Sequence, residues 1–223
     1  MRVLSNVDIP SLNNPSNYLS QKMDEKKKIP IKKNILVYFH GGGFIGGSSN
    51  MYQLFHRYWS IKGDLIIFSV DYRLAPEFSF PGPLDDCFQA YFWVKNYSKS
   101  VLNIDPEYVL MGGDSAGGNL ATSVALKCIK TGTKLPDGIL LGYPAFYISP
   151  NTFTLSTLIS LDDQIMRHTN CDFINAYIKE NNPLNPYISP SEIKDFDLKS
   201  SPKVRFLISE RDHLRDMIYC FAY

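Results

Sequence analysis

The chain has 223 residues, of which 44% are hydrophobic and 20% are charged. This length suits one α/β domain with a substantial core, and this composition excludes an intrinsically disordered chain. Lysine and arginine number 23 against 22 acidic residues, so the overall charge indicates neither a nucleic acid nor an acidic membrane surface as a partner.

The first half of the chain predicts two buried strands, each followed by a loop and a helix. Residues 1–33 are polar and contain three prolines, which predicts an irregular N-terminal segment. Residues 35–39 and 65–70 are short runs rich in β-branched and aromatic side chains, as in buried strands. Residues 50–61 predict a short helix, and helical periodicity resumes at Pro83.

The second half alternates strands and helices in the same way. Apolar runs predict strands at residues 108–111, 138–144 and 204–209. After the first of them, Leu120, Val124 and Cys128 recur every four residues, as in a helix that lies on a sheet. An amphipathic helix is predicted near residues 162–179. The alternation predicts a single α/β domain with a mostly parallel, doubly wound sheet and helices on both faces.

The cysteines and the N-terminus bear on the compartment. Four cysteines are widely spaced without a C-x-x-C pair, which favours free thiols over disulfides or metal ligands: Cys87, Cys128, Cys171 and Cys220. The N-terminus lacks the apolar region of a signal peptide, and no stretch approaches the ~20 apolar residues that span a bilayer. The expectation from this chain is therefore a soluble, cytoplasmic protein.

One pentapeptide stands between the predicted strand at 108–111 and the helix that follows it. Gly113-Asp114-Ser115-Ala116-Gly117 fits G-x-S-x-G, the tight turn that presents a nucleophilic serine. Its glycines are needed because side chains there would collide with the neighbouring strand or helix. The alternative is that Ser115 is an ordinary helix N-cap, a position that serine favours.

A serine nucleophile also needs oxyanion donors and a base held by an acid. Gly42 and Gly43 follow a predicted strand, and their N–H groups, with that of Ala116, are the expected oxyanion donors. Asp212 follows the last predicted strand, where the acid of this fold's Ser, acid, His order is expected. Asp212 as a loop carboxylate paired with Arg215 is the alternative.

Three segments in this order resemble the hormone-sensitive-lipase branch of α/β-hydrolase esterases, which includes arylacetamide deacetylase: HGGGF, DYRLAPE and GDSAGGNLA. The resemblance implies Ser115 as nucleophile, Asp212 as triad acid, and Gly42, Gly43 and Ala116 as the oxyanion hole. It also implies an α/β-hydrolase fold in which residues 145–197 contribute to a cap and the substrate pocket. A small apolar ester or amide is the implied substrate, and no metal or organic cofactor is implied.

The chain departs from that family at the base. The family's catalytic histidine lies one further helix and strand beyond the acid. Here His213 is adjacent to Asp212 and is not expected to turn back to Ser115, and none of the residues after it is a histidine. The expectation is a chain truncated at both ends and a very poor esterase. A non-catalytic, small-ligand-binding homologue is the alternative, and an endoplasmic reticulum anchor, as in arylacetamide deacetylase, is the alternative to the cytoplasm.

Overall fold

The computed structural model describes residues 2–4, 29–149, 154–156, 172–193 and 201–222. Six strands form one sheet in the order β1-β3-β2-β4-β5-β6. Strands β2 to β6 are parallel, and β1 is antiparallel to β3 at one edge, which confirms the mostly parallel sheet. The bounds are β1 Arg2–Leu4, β2 Asn34–Phe39, β3 Leu65–Val70, β4 Val109–Asp114, β5 Gly138–Gly142 and β6 Lys203–Leu207.

Helices cover both faces of this sheet, as predicted. They are α1 Gln53–Lys62, α2 Gly82–Leu102, α3 Ala116–Thr131 and α4 Arg215–Ala222, with helical residues 172–178 and a 3₁₀ turn Pro190–Glu192. On one face the large core joins β2 and β4 to α2 and α3. On the other face, α1 packs through Tyr52 and Trp59 onto a small cluster of Leu36, Tyr38 and Ile67.

The strand order places a topological switch point between β2 and β4. From β2 the chain moves outward to β3, then returns across β2 to β4 and continues to β5 and β6. The loops after β2 and β4 therefore diverge from adjacent strands, with Phe39 paired to Gly113 near the carboxyl ends. Open α/β sheets bind ligands in this crevice. The fold thus brings the glycine loop beside Ser115.

The N-terminal segment differs from its prediction. Residues 1–33 were expected to be irregular, but Arg2–Leu4 form strand β1, and Ile31 bridges to Ile104. The outer edge of β3 would otherwise leave its backbone N–H and C=O groups unpaired, and β1 satisfies them. A pairing of three residues is too short to show as periodicity. Most of the segment, 5–28, lies outside the described residues.

Three smaller predictions can also be compared with the structure. Cys87 and Cys128 are buried free thiols and Cys220 is an exposed one, whereas Cys171 lies outside the described residues. Of the helix predicted at 162–179, only residues 172–179 are described: residues 172–178 are helical, and Lys179 is in a turn with φ 52°. In the described ranges, no helix combines the length and the apolar character required to cross a bilayer.

Candidate active site

Ser115 occupies a strained turn between β4 and α3. Its backbone angles are φ 51° and ψ −118°, a region that serine rarely adopts. Hydrogen bonds on both sides hold this conformation. The Ser115 N–H donates to the Gly142 carbonyl at 2.9 Å, and the Ser115 carbonyl accepts from Asn119 and Ala145, each at 3.1 Å. The conformation is that of a nucleophile turn.

The two outer glycines of the pentapeptide are required by close backbone approach. A Cβ on Gly113 would lie 2.4 Å from the carbonyl carbon of Gly117 and 2.7 Å from the Phe39 carbonyl oxygen. A Cβ on Gly117 would lie only 2.0 Å from that same Phe39 oxygen. Neither position has room for a side chain, which is the physical reason for glycine in the G-x-S-x-G pattern.

The alternative role of Ser115 as a helix cap does not fit the structure. Ser115 stands at the N-cap position of α3, but its side chain makes no capping hydrogen bond. An N-cap serine normally has β-region angles and bonds a backbone N–H in the first turn. The Ser115 hydroxyl is therefore left for another use.

The glycine loop after β2 has a backbone that only glycine adopts easily. Gly42 has φ 124° and Gly43 has φ 63°. The Gly42 carbonyl accepts hydrogen bonds from Ile45 at 3.2 Å and Gly46 at 3.0 Å, which curls the loop. Within the described residues, the N–H groups of Gly42 and Gly43 donate to no protein group. They are available to an anion, as predicted for oxyanion donors.

The segment after β3 supports the glycine loop from behind. Asp71 accepts hydrogen bonds from the N–H and hydroxyl of Ser49 at 2.6 and 2.7 Å. Tyr72 donates to the His40 carbonyl at 2.6 Å, and its ring stacks on the His40 ring at 4.3 Å. Arg73 instead pairs with Asp86 at the surface, at 2.8 Å. Asp71 and Tyr72 therefore brace the glycine loop, whereas Arg73 ties the segment to α2.

Asp114, the residue before Ser115, lies at the centre of a buried hydrogen-bond cluster that the sequence did not single out. It is 7% exposed and accepts hydrogen bonds from the hydroxyls of Tyr38 at 2.8 Å and Tyr52 at 2.7 Å, and from the Gly41 N–H at 3.1 Å. Burial and the Asp114 charge both raise the pKa of each tyrosine, so the phenols stay protonated donors. A carboxylate at the end of a buried strand requires such partners, which is the signal that could have found it.

Asp212 lies in the loop after β6, at the same end of the sheet as Ser115. Its Oδ1 accepts from the Leu214 N–H at 2.9 Å and lies 3.4 Å from Nδ1 of His213. The pairing of Asp212 with the Arg215 side chain is wrong, because that guanidinium binds Asp216 at 3.1 Å. Burial raises the pKa of Tyr143, and the charges of Asp114 and Asp212 raise it further.

The histidines differ in their surroundings. His40 Nδ1 lies 2.8 Å from the Gly41 carbonyl oxygen, and burial lowers the His40 pKa. His56 is fully buried in α1, and desolvation lowers its pKa to about 4. Burial also lowers the pKa of His213, against the opposing effect of Asp212. His168 lies outside the described residues. Among the described histidines, only His213 lies in the loop after β6 that contains Asp212.

The nucleophile helix also anchors the region between β5 and β6. Asn119 is fully buried, and its side-chain amide donates to the carbonyls of Ala145 and Ile188, both at 2.7 Å. Nearby, Ser123 donates to the Tyr187 carbonyl at 3.0 Å. Asn119 and Ser123 are four residues apart on an otherwise apolar helix face, which is the sequence signal that could have identified this anchor. The region's backbone is thereby held beside the Ser115 turn.

Helical residues 172–178 pack over the glycine loop. A Cβ on Gly43 would lie 2.9 Å from Cδ2 of Phe173, and Tyr177 stacks on Phe44 with ring centroids 3.8 Å apart. Tyr177 and Phe44 are both buried, so this ring pair holds helical residues 172–178 against the glycine loop. Across the described ranges, no cluster of three or more His, Cys, Asp or Glu side chains could hold a metal ion.

Known proteins are similar to this chain in sequence. A family described as alpha/beta hydrolase fold matches residues 36–222. Human hormone-sensitive lipase is 38% identical over 140 residues, covering 63% of this chain and 13% of that protein. An arylesterase of Saccharolobus solfataricus is 31% identical over 204 residues, covering 87% of this chain and 63% of that protein. The chain thus spans less than two thirds of these relatives.

Solved structures of esterases have a fold similar to that of this chain. EstE1, a carboxylesterase cloned from a metagenomic library, superposes with a TM-score of 0.78 at 31% identity, covering 88% of this chain and 66% of that one. A hyperthermophilic esterase from the archaeon Pyrobaculum calidifontis superposes with a TM-score of 0.75 at 32% identity, covering 87% and 62%. The chain belongs to the alpha/beta hydrolase fold family, in the esterase and lipase branch that includes hormone-sensitive lipase.

Proposed function

We propose that this chain carries the acylation half of a serine carboxylic-ester hydrolase site. The observation that supports this most strongly is the strained conformation of Ser115 beside a loop whose glycine N–H groups are available to an anion. The relatives are carboxylesterases and lipases, so a small apolar ester or an arylacetamide is the proposed substrate. No cofactor enters the reaction.

The proposed chemistry follows from the positions of these groups. The Ser115 hydroxyl oxygen attacks the ester carbonyl carbon, and its proton leaves with the alcohol. The N–H groups of Gly42, Gly43 and Ala116 stabilise the oxyanion of the tetrahedral intermediate. Water then attacks the acyl-serine, which releases the carboxylic acid and restores the Ser115 hydroxyl. Asp212 is the proposed triad acid.

None of the described histidines is proposed as the general base for Ser115. His40 contacts its own loop and Tyr72, and His56 is a buried residue of α1 that packs on the Tyr38 ring, so neither is proposed as the base. His213 contacts Asp212 but is its chain neighbour, and we do not expect it to reach Ser115. A triad without histidine loses most of a roughly 10⁶-fold rate contribution, whereas an oxyanion hole alone retains on the order of 10³-fold over water. We therefore propose slow acylation and slow turnover for this polypeptide.

A burst experiment tests the proposal. The purified chain is mixed with p-nitrophenyl acetate or butyrate, and nitrophenolate release is followed together with the mass of the protein. We expect one acyl group per chain, attached to Ser115 and absent from Ser115→Ala. His213→Gln is the matched variant, and an unchanged burst there supports the absence of a histidine base.

Two results would contradict the proposal. Equal nitrophenolate release by the Ser115→Ala variant means that the reaction does not use this serine. Saturable binding of an apolar ester, with no acyl adduct in either protein, favours a non-catalytic ligand-binding homologue instead. Loss of the burst in His213→Gln would leave the nucleophile in place but assign the base to His213.

A further inference from the structure

Helix α1 exposes its apolar residues instead of burying them. It buries His56 and Ser60 against the sheet, while its outer side presents large hydrophobic residues. Leu54 is 84% exposed and Met51, in the preceding turn, is 75% exposed. We call this set the α1 stripe: Met51, Leu54, Phe55, Tyr58 and Ile61.

The spacing of these residues makes the α1 stripe continuous. Met51, Leu54, Tyr58 and Ile61 follow intervals of three, four and three residues, so they line one side of the helix. Single exposed apolar side chains are common, but a contiguous patch of large ones marks an interaction surface. The packing of α1 does not require the stripe, since the helix is attached through its opposite side, by Tyr52 and Trp59.

The charges on α1 indicate which kind of surface the α1 stripe would bind. The helix contains Arg57 and Lys62 and no acidic residue. The nearest acid that follows, Asp64, is paired with Lys33, which cancels its charge. An apolar helix face with basic residues alongside is typical of a helix that lies in the surface of an anionic membrane. The near-neutral charge of the whole chain conceals this local excess.

We infer that the α1 stripe docks the protein on an anionic lipid surface, with Leu54, Phe55 and Ile61 entering the acyl boundary and Arg57 and Lys62 contacting lipid headgroups. Helix α1 directly follows the glycine loop, and the Tyr52 hydroxyl, one residue before it, binds Asp114 at 2.7 Å. Docking would therefore hold the carboxyl edge of the sheet near the lipid. The inference concerns binding and does not depend on turnover by Ser115.

Vesicle co-sedimentation of the 223-residue chain tests this inference. The vesicles are phosphatidylcholine alone or phosphatidylcholine with about one third phosphatidylserine. We expect binding to the anionic vesicles and at least tenfold less in Leu54→Gln/Tyr58→Gln/Ile61→Gln. Arg57→Gln/Lys62→Gln should weaken it about 30-fold, on the basis of about 1 kcal/mol per basic residue at the surface. High salt should weaken the wild type similarly.

Controls separate the stripe from general stickiness and from misfolding. Leu184→Gln and Tyr97→Gln remove exposed apolar residues elsewhere and should bind like wild type. Far-ultraviolet circular dichroism checks the fold of each variant, and Leu54→Gln alone is a milder change at the most exposed position. Equal binding by wild type and the triple variant, or no binding by either, overturns the inference. So does a wild-type dimer, seen by light scattering, that the triple variant makes monomeric without any vesicle binding.

Discussion

The Tyr52 hydroxyl donates a 2.7 Å hydrogen bond to Oδ2 of Asp114 and accepts one of 3.2 Å from the Gly41 N–H. One phenol thus joins the residue before the nucleophile to the glycine loop. Because Asp114 is buried, each of its partners is worth roughly 1.5–3 kcal/mol, the range for hydrogen bonds to charged groups. The positions of the nucleophile and the oxyanion donors are therefore coupled through Asp114.

Removing the two phenols one at a time tests this coupling. Tyr52→Phe and Tyr38→Phe each take one donor from Asp114, so urea unfolding should show a similar loss of about 2 kcal/mol for both. Only Tyr52→Phe also removes one of the two acceptors of the Gly41 N–H, the other being Asp114. Its burst rate with p-nitrophenyl acetate should therefore fall about tenfold, equivalent to ~1.4 kcal/mol. Equal burst rates in the two variants would show that Tyr52 does not position the glycine loop.

The nucleophile turn should not tolerate a single added methyl group. In Gly117→Ala the new Cβ would meet the Phe39 carbonyl oxygen at 2.0 Å, a backbone atom of central strand β2. We expect a loss of roughly 4 kcal/mol or more in the free energy of unfolding, or no folded protein. Gly82→Ala is the matched control, since its Cβ would contact only Phe78 at 3.5 Å, and its stability should stay within about 1 kcal/mol.

His56 should make the protein sensitive to acid. Its two ring nitrogens are buried without a hydrogen-bond partner, and desolvation lowers the His56 pKa from 6.5 to about 4. Between these pH values the unfolded chain binds a proton that the folded chain does not, so stability falls as the pH drops from about 6.5 to about 4. The expected loss is about 3 kcal/mol, at 1.36 kcal/mol per pKa unit.

His56→Phe should remove this loss and stabilise the protein at neutral pH by about 1 kcal/mol or more, because an unpartnered buried polar group becomes apolar. Urea unfolding at pH 7 and pH 5 measures both effects. Tyr177→Phe is the control. Like His56→Phe, it removes a buried polar group that has no hydrogen-bond partner among the described residues, but the Tyr177 phenol does not change its charge between pH 4 and 6.5. An unchanged pH dependence in His56→Phe would contradict the assignment.

The anchor from α3 to the region after β5 predicts an asymmetric response at Asn119. Asn119→Asp would place a carboxylate against the carbonyls of Ala145 and Ile188, so we expect a loss of about 3–5 kcal/mol in the free energy of unfolding. Ser123→Ala removes one hydrogen bond to Tyr187 and should cost only about 1 kcal/mol. Equal losses would indicate that the two residues do not differ in this role.

Patterns among neighbouring residues predicted the strands and the serine turn. The inner strands β2, β3 and β4 are apolar runs because they are covered on both faces, whereas β6 at the sheet edge alternates exposed and partly buried residues. The boundaries of the five parallel strands shifted by only a few residues. The glycines at 113 and 117 and the serine between them predict a turn from sequence alone, and the structure shows that the steric need for glycine comes partly from the turn itself and partly from the Phe39 carbonyl of β2. The brace from Asp71 and Tyr72 to the glycine loop joins residues far apart in the chain, so only the structure identifies its partners.

The parts that sequence could not predict depend on residues far apart in the chain. Strand β1 exists because the edge of β3 has open backbone groups, and its three residues show no periodicity. In the sequence, Arg215 is close to both Asp212 and Asp216. Only the path of the loop determines that its guanidinium pairs with Asp216. The outward face of α1 also escaped detection, because a helical pattern shows which residues share a side but not which side meets the sheet.

By itself the sequence determined the class of fold, and it predicted the serine turn at Ser115 and the glycine loop after β2. Each rests on short-range sterics or on burial of a continuous apolar run, which are legible in consecutive residues. Only the tertiary structure decided that Asp114 joins Tyr38, Tyr52 and Gly41, and that Asn119 holds the region after β5. Those contacts arise where β2 and β4 become neighbours at the switch point, and a strand order is set by the packing of the whole sheet.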